Sequence, residues 1–380
     1  MSQETLTLLV DENMPFAPEL LSPYGRVITR PGRQLSADDL VDVDVLMVRS
    51  VTAVNQSLLS KANQLKFVGT ATIGTDHIDQ LLLTQRGIRF ASAPGCNRIA
   101  VGEYVITSLL AAAEFRGESL AKKRLAVVGS GNTGSAVAQR AIVMGMDVIR
   151  YDPPLEKSGD TCWDYCDFGS VLKADVISLH VPLISDGPNP TYHLFNEQVL
   201  RKLRPEQILV NACRGEVVDN HALLKLCQEQ LAPLLIWDVW EHEPDVLSEL
   251  VPYPFITTPH IAGYSIDGKM RGTRMITEAL CQYFKYPYDD LSSSFLPNAP
   301  FCSIEINDIL SELSIGQLTR LIYNIFADDR RFRRDGLTRE GFDQLRKNYP
   351  QRREFATLSI KGEPDPRLVG LGFTLDSTNN

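Results

Sequence analysis

No apolar run in this chain of 380 residues approaches the ~20 that a helix needs to cross a membrane. The opening stretch, MSQETLTLLVDENMP, has neither a basic n-region nor an apolar h-region, so no signal peptide is expected. Positive charge is also in short supply: 38 Lys and Arg against 47 Asp and Glu leave a net charge of −9. A nucleic-acid partner needs a basic face to meet its phosphates, and this balance argues against one. The seven cysteines are scattered and odd in number: Cys96, Cys162, Cys166, Cys213, Cys227, Cys281 and Cys302. That pattern favours reduced thiols in a cytoplasmic setting over a disulfide framework. Cys162 and Cys166 have no second ligand pair at zinc-site spacing, so no metal is expected. Internal repeats and low-complexity tracts are absent as well.

What is there has the balance of a soluble globular enzyme, 44% hydrophobic and 22% charged, in a chain longer than one core usually holds. Two or three domains are therefore expected. LTLLVDE, VDVLMVRS and LKFVGTATIG read as strands, with helix-compatible APELLSPYG and NQSLLSKANQ between them. Short, nearly continuous apolar strands alternating with helices predict a parallel sheet covered on both faces. From Asn97 a long helix, IAVGEYVITSLLAAAEF, leads into a second such series: KRLAVV, DVIRY, ADVISLHVP, QILVNACRG, PLLIWDVW and PFITTPH. GKMRGTRMITEALCQYF then reads as a helix returning to the first domain. The stretch PYDDLSSSFLPNAP, rich in Pro, Ser and acids, reads as a linker to a C-terminal module.

The second series carries the chemistry. Gly129-Ser130-Gly131-Asn132-Thr133-Gly134 fits G-x-G-x-x-G between a strand and a helix, and the next strand ends on Asp152. Alone the motif is weak; in this context it predicts a dinucleotide site. Gly129 permits the tight turn, Gly131 close approach to a pyrophosphate, and Gly134 packing of helix on strand. The helix N-terminus offers N–H groups to the phosphates. Asp152 would accept from the ribose hydroxyls and repel a 2′-phosphate, which favours NAD over NADP.

Arg214, Glu243 and His260 follow three later strands, whose carboxyl ends converge in a parallel sheet. An arginine fork suits a substrate carboxylate, a histidine suits a hydroxyl proton near neutral pH, and a carboxylate can orient the imidazole. In isolation each has a bland reading: a salt-bridge arginine, a solvated acid, a structural histidine. Their order after a nucleotide fingerprint favours the joint catalytic reading. Glu241 and His242 are the nearest competitors for the last two roles.

The fingerprint, NACRGEVVDN, WDVWEHEP and TPHIAG together resemble the D-isomer-specific 2-hydroxyacid dehydrogenases, over about residues 5–285. The resemblance implies hydride transfer between NAD and a 2-hydroxy acid, with Arg214, Glu243 and His260 catalytic. LVDENMP, LMVRSVT, FVGTATIGTDHID, APGCNRIAVGEY, HIAGYSIDGKMRGT and FDQLRKNYPQRRE are similar to one branch of that family over nearly the whole chain. This closer match implies 4-phospho-D-erythronate as substrate, 2-oxo-3-hydroxy-4-phosphobutanoate as product, a place in vitamin B6 synthesis, and a cytoplasmic homodimer. It implies Ser50, Thr72 and Tyr264 as substrate contacts. Asp152, Val181, Asp238 and Gly263 fall at its NAD contacts, with the loop Ala212, Cys213 and Arg214 beside them. A dehydrogenase of another acid, such as glycerate or 3-phosphoglycerate, and a catalytically silent NAD-binding regulator are the rival readings.

The expected fold class is α/β, with two doubly wound Rossmann-like domains plus a small C-terminal α/β dimerisation domain. Residues 1–96 and 264–288 would bind substrate, 97–263 NAD, and 298–380 would dimerise, with hinges near 95–99 and 262–264. Leu310, Leu313, Leu318, Leu321, Ile322 and Ile325 are the expected interface. For the substrate phosphate, Arg49 beside Ser50 is the favoured cation. Arg346, Lys347, Arg352 and Arg353 of the tail read more readily as a solvated basic face.

Overall fold

The computed structural model describes residues 5–290, 292–299 and 301–376, and the chain divides into two compact units. One comprises Met1–Asn97 with Ser265–Asn298, and the other Arg98–Tyr264 with Ala299–Asn380.

The first unit is built on five parallel strands: β1 (Leu6–Asp11), β2 (Gly25–Arg30), β3 (Val45–Val48), β4 (Phe67–Thr70) and β5 (Arg89–Ser92). Their order is β2-β1-β3-β4-β5. Every residue of β3 and β4 is buried, as central strands covered on both faces must be. The edge strands are amphipathic and partly exposed, and these two were not anticipated from apolar runs. NQSLLSKANQ, read as helix-compatible, yields only the short 3-10 turn Leu58–Lys61. The helix Ile266–Phe284 returns to this unit, capped by Ser265 Oγ accepting from Gly268 N at 2.8 Å. Its Ile276 and Leu280 join Leu8, Val10, Met47 and Phe67 in one core. Gly272 lets this helix approach closely, since a Cβ there would stand 2.9 Å from Ala71 O.

The second unit holds six parallel strands: β6 (Arg124–Val128), β7 (Asp147–Tyr151), β8 (Val176–Leu179), β9 (Ile208–Asn211), β10 (Leu234–Trp237) and β11 (Ile256–Thr257). Their order, β11-β10-β9-β8-β6-β7, makes β6 the point where the chain reverses its direction of sheet growth. Ligands of doubly wound sheets bind at the carboxyl ends beside such a switch point. All six expected strands are present. The preceding helix, Arg98–Arg116, is buried on every side from Ala100 to Ala113, as befits an element enclosed by protein.

Residues 301–376 have the mixed α/β character expected of the C-terminal region, and they share a core with the rest of the second unit. They add a small parallel sheet, β12 (Ser303–Glu305), β13 (Ser359–Lys361) and β14 (Thr374–Leu375), and four helices. Ile315, Leu318, Ile325, Phe355, Leu358 and Leu368 share one continuous core with Val105, Leu109, Leu125 and Val137. Leu318 and Ile325 of the expected interface are therefore inside this core. Leu310 and Ile322 pack against it, while Leu313 and Leu321 are exposed. The expected solvated basic face is corrected at Arg352, while Lys347 is exposed. Arg352 is buried, with its guanidinium 3.6 Å from the ring centre of Tyr323, and it donates to Ala100 O (2.8 Å) and Ala262 O (3.2 Å). Beside it lies fully buried Glu103, which accepts from Phe355 N at 2.7 Å. Burial and the neighbouring Glu354 push the Glu103 carboxyl up to about 8, against the pull of Arg352 and Arg140.

Candidate active site

The turn after β6 shows three glycines with three different reasons. Gly129 has φ +92°, and a Cβ there would meet the His180 carbonyl at 2.7 Å. Gly134 sits so close under the turn that a Cβ would be 1.9 Å from Gly129 O. At Gly131 a Cβ would meet nothing within 4 Å, so no protein contact explains its smallness, whereas close approach of a pyrophosphate does. The helix Asn132–Val143 begins there with no side-chain cap, leaving its first N–H groups for an anion. Asn132 and Thr133 form its first turn.

Asp152 stands at the end of β7, half-buried. Its Oδ2 accepts from Ser130 N at 2.7 Å and its Oδ1 from Leu155 N at 3.1 Å. It thus ties the glycine turn to the next helix. An ionised carboxylate has about four lone-pair sites, so two remain for ribose hydroxyls. Val181 follows β8 and borders Gly129 through its backbone. Ala212, Cys213 and Arg214 follow β9, where Arg214 Nη1 donates to Cys213 O at 2.8 Å.

After β10 and β11 the structure brings Glu243 and His260 together. His260 Nδ1 lies 2.7 Å from Glu243 Oε2, while Glu243 Oε1 accepts from Trp240 N at 2.8 Å. Burial pushes the Glu243 carboxyl up, but His260, Arg346 and the Trp240 N–H outweigh it and hold the group below its ordinary range. An ionised carboxylate only accepts, so Nδ1 carries the proton and Nε2 is left as the basic nitrogen. Arg214 shares the carboxyl edge of the sheet with this pair.

His260 has φ +57°, a conformation that non-glycine residues rarely adopt. Asp238 holds it there. Its carbonyl accepts from His260 N (2.6 Å), and its buried carboxylate accepts from Ile261 N (2.8 Å), Ala262 N (3.0 Å) and Thr258 Oγ1 (2.6 Å). Asp238, anticipated as a cofactor contact, therefore also supports the histidine loop, a role that no sequence signal announced. Gly263 and Tyr264 complete that loop. Of the two competitors, Glu241 is engaged elsewhere, its Oε1 pairing with His193 Nε2 (2.7 Å) and its Oε2 accepting from Asn220 N (2.7 Å), and His242 is exposed.

Arg49, Ser50 and Thr72 belong to the first unit, at the carboxyl ends of β3 and β4. Ser50 is exposed. Thr72 Oγ1 donates to Gly74 O at 2.9 Å and lies 2.7 Å from Thr70 Oγ1.

The chain is similar to known proteins over nearly its whole length. Residues 99–262 match the family model of the D-isomer specific 2-hydroxyacid dehydrogenase NAD binding domain, and residues 295–370 match a domain of unknown function. An erythronate-4-phosphate dehydrogenase of Tolumonas auensis is 48% identical, covering 97% of this chain and 99% of its own length. One from Psychromonas ingrahamii is 46% identical over 98% of both chains. Among solved structures, the D-lactate dehydrogenase of Aquifex aeolicus, complexed with NAD and lactic acid, superposes with a TM-score of 0.61 at 25% identity. It covers 73% of this chain and 95% of the other.

Proposed function

This chain belongs to the erythronate-4-phosphate dehydrogenase family, and from that we propose that it oxidises 4-phospho-D-erythronate to 2-oxo-3-hydroxy-4-phosphobutanoate with NAD+, a step toward pyridoxal 5′-phosphate. The observation that carries the reading is the His260–Glu243 pair on the sheet edge that begins with the glycine turn. NAD+, when bound, accepts the hydride. Gly129–Gly134, Asp152, Val181, the loop 212–214, Asp238 and Gly263 would hold it. Gly131's open side and the uncapped helix behind it suit a pyrophosphate.

In this reading Arg214 grips the carboxylate next to C2 and fixes which hydrogen faces the cofactor. His260 Nε2 takes the C2 hydroxyl proton as the C2–H bond breaks and the C2=O bond forms. Glu243 balances the imidazolium that results, much as a buried carboxylate steadies the histidine of a hydrolase. Arg49, Ser50, Thr72 and Tyr264 are the proposed contacts to the rest of the substrate. We place the enzyme in the cytoplasm as a homodimer, a reading that rests on its free thiols and on exposed Leu313 and Leu321. The test is NADH formation across 2-hydroxy acids with and without a terminal phosphate. The phosphorylated four-carbon acid should give the highest kcat/KM. A preference for glycerate or 3-phosphoglycerate, or no turnover of any acid, would replace this reading.

A further inference from the structure

One buried carboxylate of the second unit is shared by three stretches of chain. Glu241 lies two residues before Glu243, on the same loop after β10, and its side chain is 7% exposed. Its Oε2 accepts from Asn220 N and its Oε1 lies against His193 Nε2, both at 2.7 Å. An ionised carboxylate only accepts, so His193 carries its proton on Nε2, and Nδ1 is left 3.9 Å from Asp219 Oδ2. Taking a carboxylate out of water is costly unless it is bonded, and here both oxygens are. His193 itself has φ +47°, a conformation that non-glycine residues rarely adopt, and its backbone N–H donates to Glu216 O at 2.8 Å. The ring of Tyr192 stacks on its imidazole at 4.1 Å. A histidine fixed in this way over a buried acid marks a point that the fold goes to some cost to hold.

The partners of Glu241 border both proposed catalytic loops. Asn220 Nδ2 donates to Val218 O at 2.8 Å and to Gly215 O at 3.4 Å, and Gly215 follows Arg214 directly. Gly215 lies so close beneath the Glu243 loop that a Cβ there would stand 2.0 Å from the Trp240 carbonyl carbon. The residues after it are bonded to the His193 segment through the backbone: Phe195 N donates to Val217 O (3.0 Å) and Asp219 N to Phe195 O (3.1 Å). On the other side of Glu241, Trp240 N donates to Glu243 Oε1 at 2.8 Å and Trp240 Nε1 to Thr258 O at 3.0 Å. Glu241 therefore sits where the Arg214 segment, the Glu243 loop and the His193 segment meet, one residue from the N–H that orients Glu243. A displacement of about 1 Å at such a point would loosen the contact between Glu243 and His260.

We propose that Glu241, bridged to His193 and Asn220, is a positioning residue that clamps the Glu243 loop onto the Arg214 segment and so sets the distance at which Glu243 meets His260. Both its oxygens are taken up inside the protein, so it acts through Glu243 and not on the substrate. This role deepens the dehydrogenase reading above and rests on it. The residue that rivals Glu243 in sequence becomes its support in the fold.

The test compares the full chain with Glu241→Ala, Glu241→Gln and His193→Ala. Two quantities are measured: turnover of 4-phosphoerythronate with NAD+ across pH, and the downfield proton NMR signal of His260 Nδ1–H without ligand, identified by its loss in His260→Ala. Glu241→Ala should lower kcat about 10–100-fold and move the acid limb of the pH–rate profile to lower pH, as loss of the Glu243 contact would. The His260 signal, protected from exchange by its bond to Glu243, should broaden or vanish. Glu241→Gln keeps the bridge. Its carbonyl accepts from Asn220 N, and its amide donates to His193 Nε2 once the imidazole proton moves to Nδ1, facing Asp219. It should recover most of the rate and of the signal. His193→Ala removes one tie and should show the same changes in smaller measure, and it decides the matter if Glu241→Ala does not fold. A parental rate, or a lower one with an unmoved limb and a sharp His260 signal, would overturn the proposal and leave the dehydrogenase reading standing. A parent that turns over no 2-hydroxy acid would sink that reading, and the His260 signal would still judge the clamp.

Discussion

At the scale of single residues, the site is a histidine in an unfavoured backbone conformation held by acids on two sides. Glu243 grips the imidazole, and Asp238 grips the loop. His260→Ala should slow single-turnover hydride transfer by about 10²–10⁴-fold while NAD affinity changes little, since a positioned acid–base group contributes that much. A near-parental single-turnover rate would remove His260 from the chemistry. Glu243→Gln withdraws the negative charge that favours the imidazolium, so the acid limb of the oxidation pH–rate profile should move to lower pH. An unmoved limb would mean that the 2.7 Å contact has no part in the reaction. Asp152 has two jobs. Asp152→Ala should narrow the preference for NAD over NADP, and it should also cost about 0.5–2 kcal/mol of stability by uncapping the helix Pro153–Lys157. Parallel kinetics and thermal melts separate the two effects.

At the scale of elements, the burial of Glu103, on the helix Arg98–Arg116, with Glu354 of the tail nearby makes stability depend on pH. In the folded chain Glu103 keeps its proton up to about 8, against an ordinary value of 4.5. Between those values folding takes up a proton, so stability declines as pH rises through the window. Glu103→Gln cannot ionise and should escape that decline. Urea midpoints of variant and parent should therefore diverge in the variant's favour as pH goes from about 5 to about 8. A constant offset would show that Glu103 does not titrate there. Elements also mark how far the sequence could be read. Most strands of the second unit were legible because they are largely buried apolar runs. The edge strand β7, of mixed burial, was legible from its place after the glycine turn and its helix. Glu243 and His260 were legible because they follow buried strands. β2 and β5 were not, since edge strands carry a mixed pattern. The burial of Arg352 was not legible for a related reason. Composition shows a basic cluster, but burial depends on Tyr323 and Glu103, which are distant in sequence.

At the scale of the whole molecule, the tail supplies part of the second unit's core. Removing everything after Leu296 would strip Ile315, Leu318, Ile325, Phe355 and Leu358 from the shared core and leave Val105 and Leu109 facing water. Such a truncation should be insoluble or partly unfolded, with loss of a cooperative melt, because each fully buried aliphatic side chain contributes about 1.5–3 kcal/mol. A soluble, cooperatively melting truncate would show that the tail is an independent appendage. Light scattering on Leu313→Asp/Leu321→Asp, whose side chains are exposed, separates assembly from folding: a monomer with a parental melt is expected.

The interleaving of early and late segments has a consequence for biosynthesis. The first unit needs the helix Ile266–Phe284 to close its core, and the second needs residues from 301 onward. Neither can therefore finish while the ribosome is still partway along the message. At about 5–20 residues per second, a chain of 380 residues spends roughly 20–80 s in synthesis. For most of that time the nascent polypeptide displays parallel strands whose covering helices do not yet exist. Such a chain would lean on holdase chaperones during translation and would be sensitive to premature termination anywhere downstream of the histidine loop.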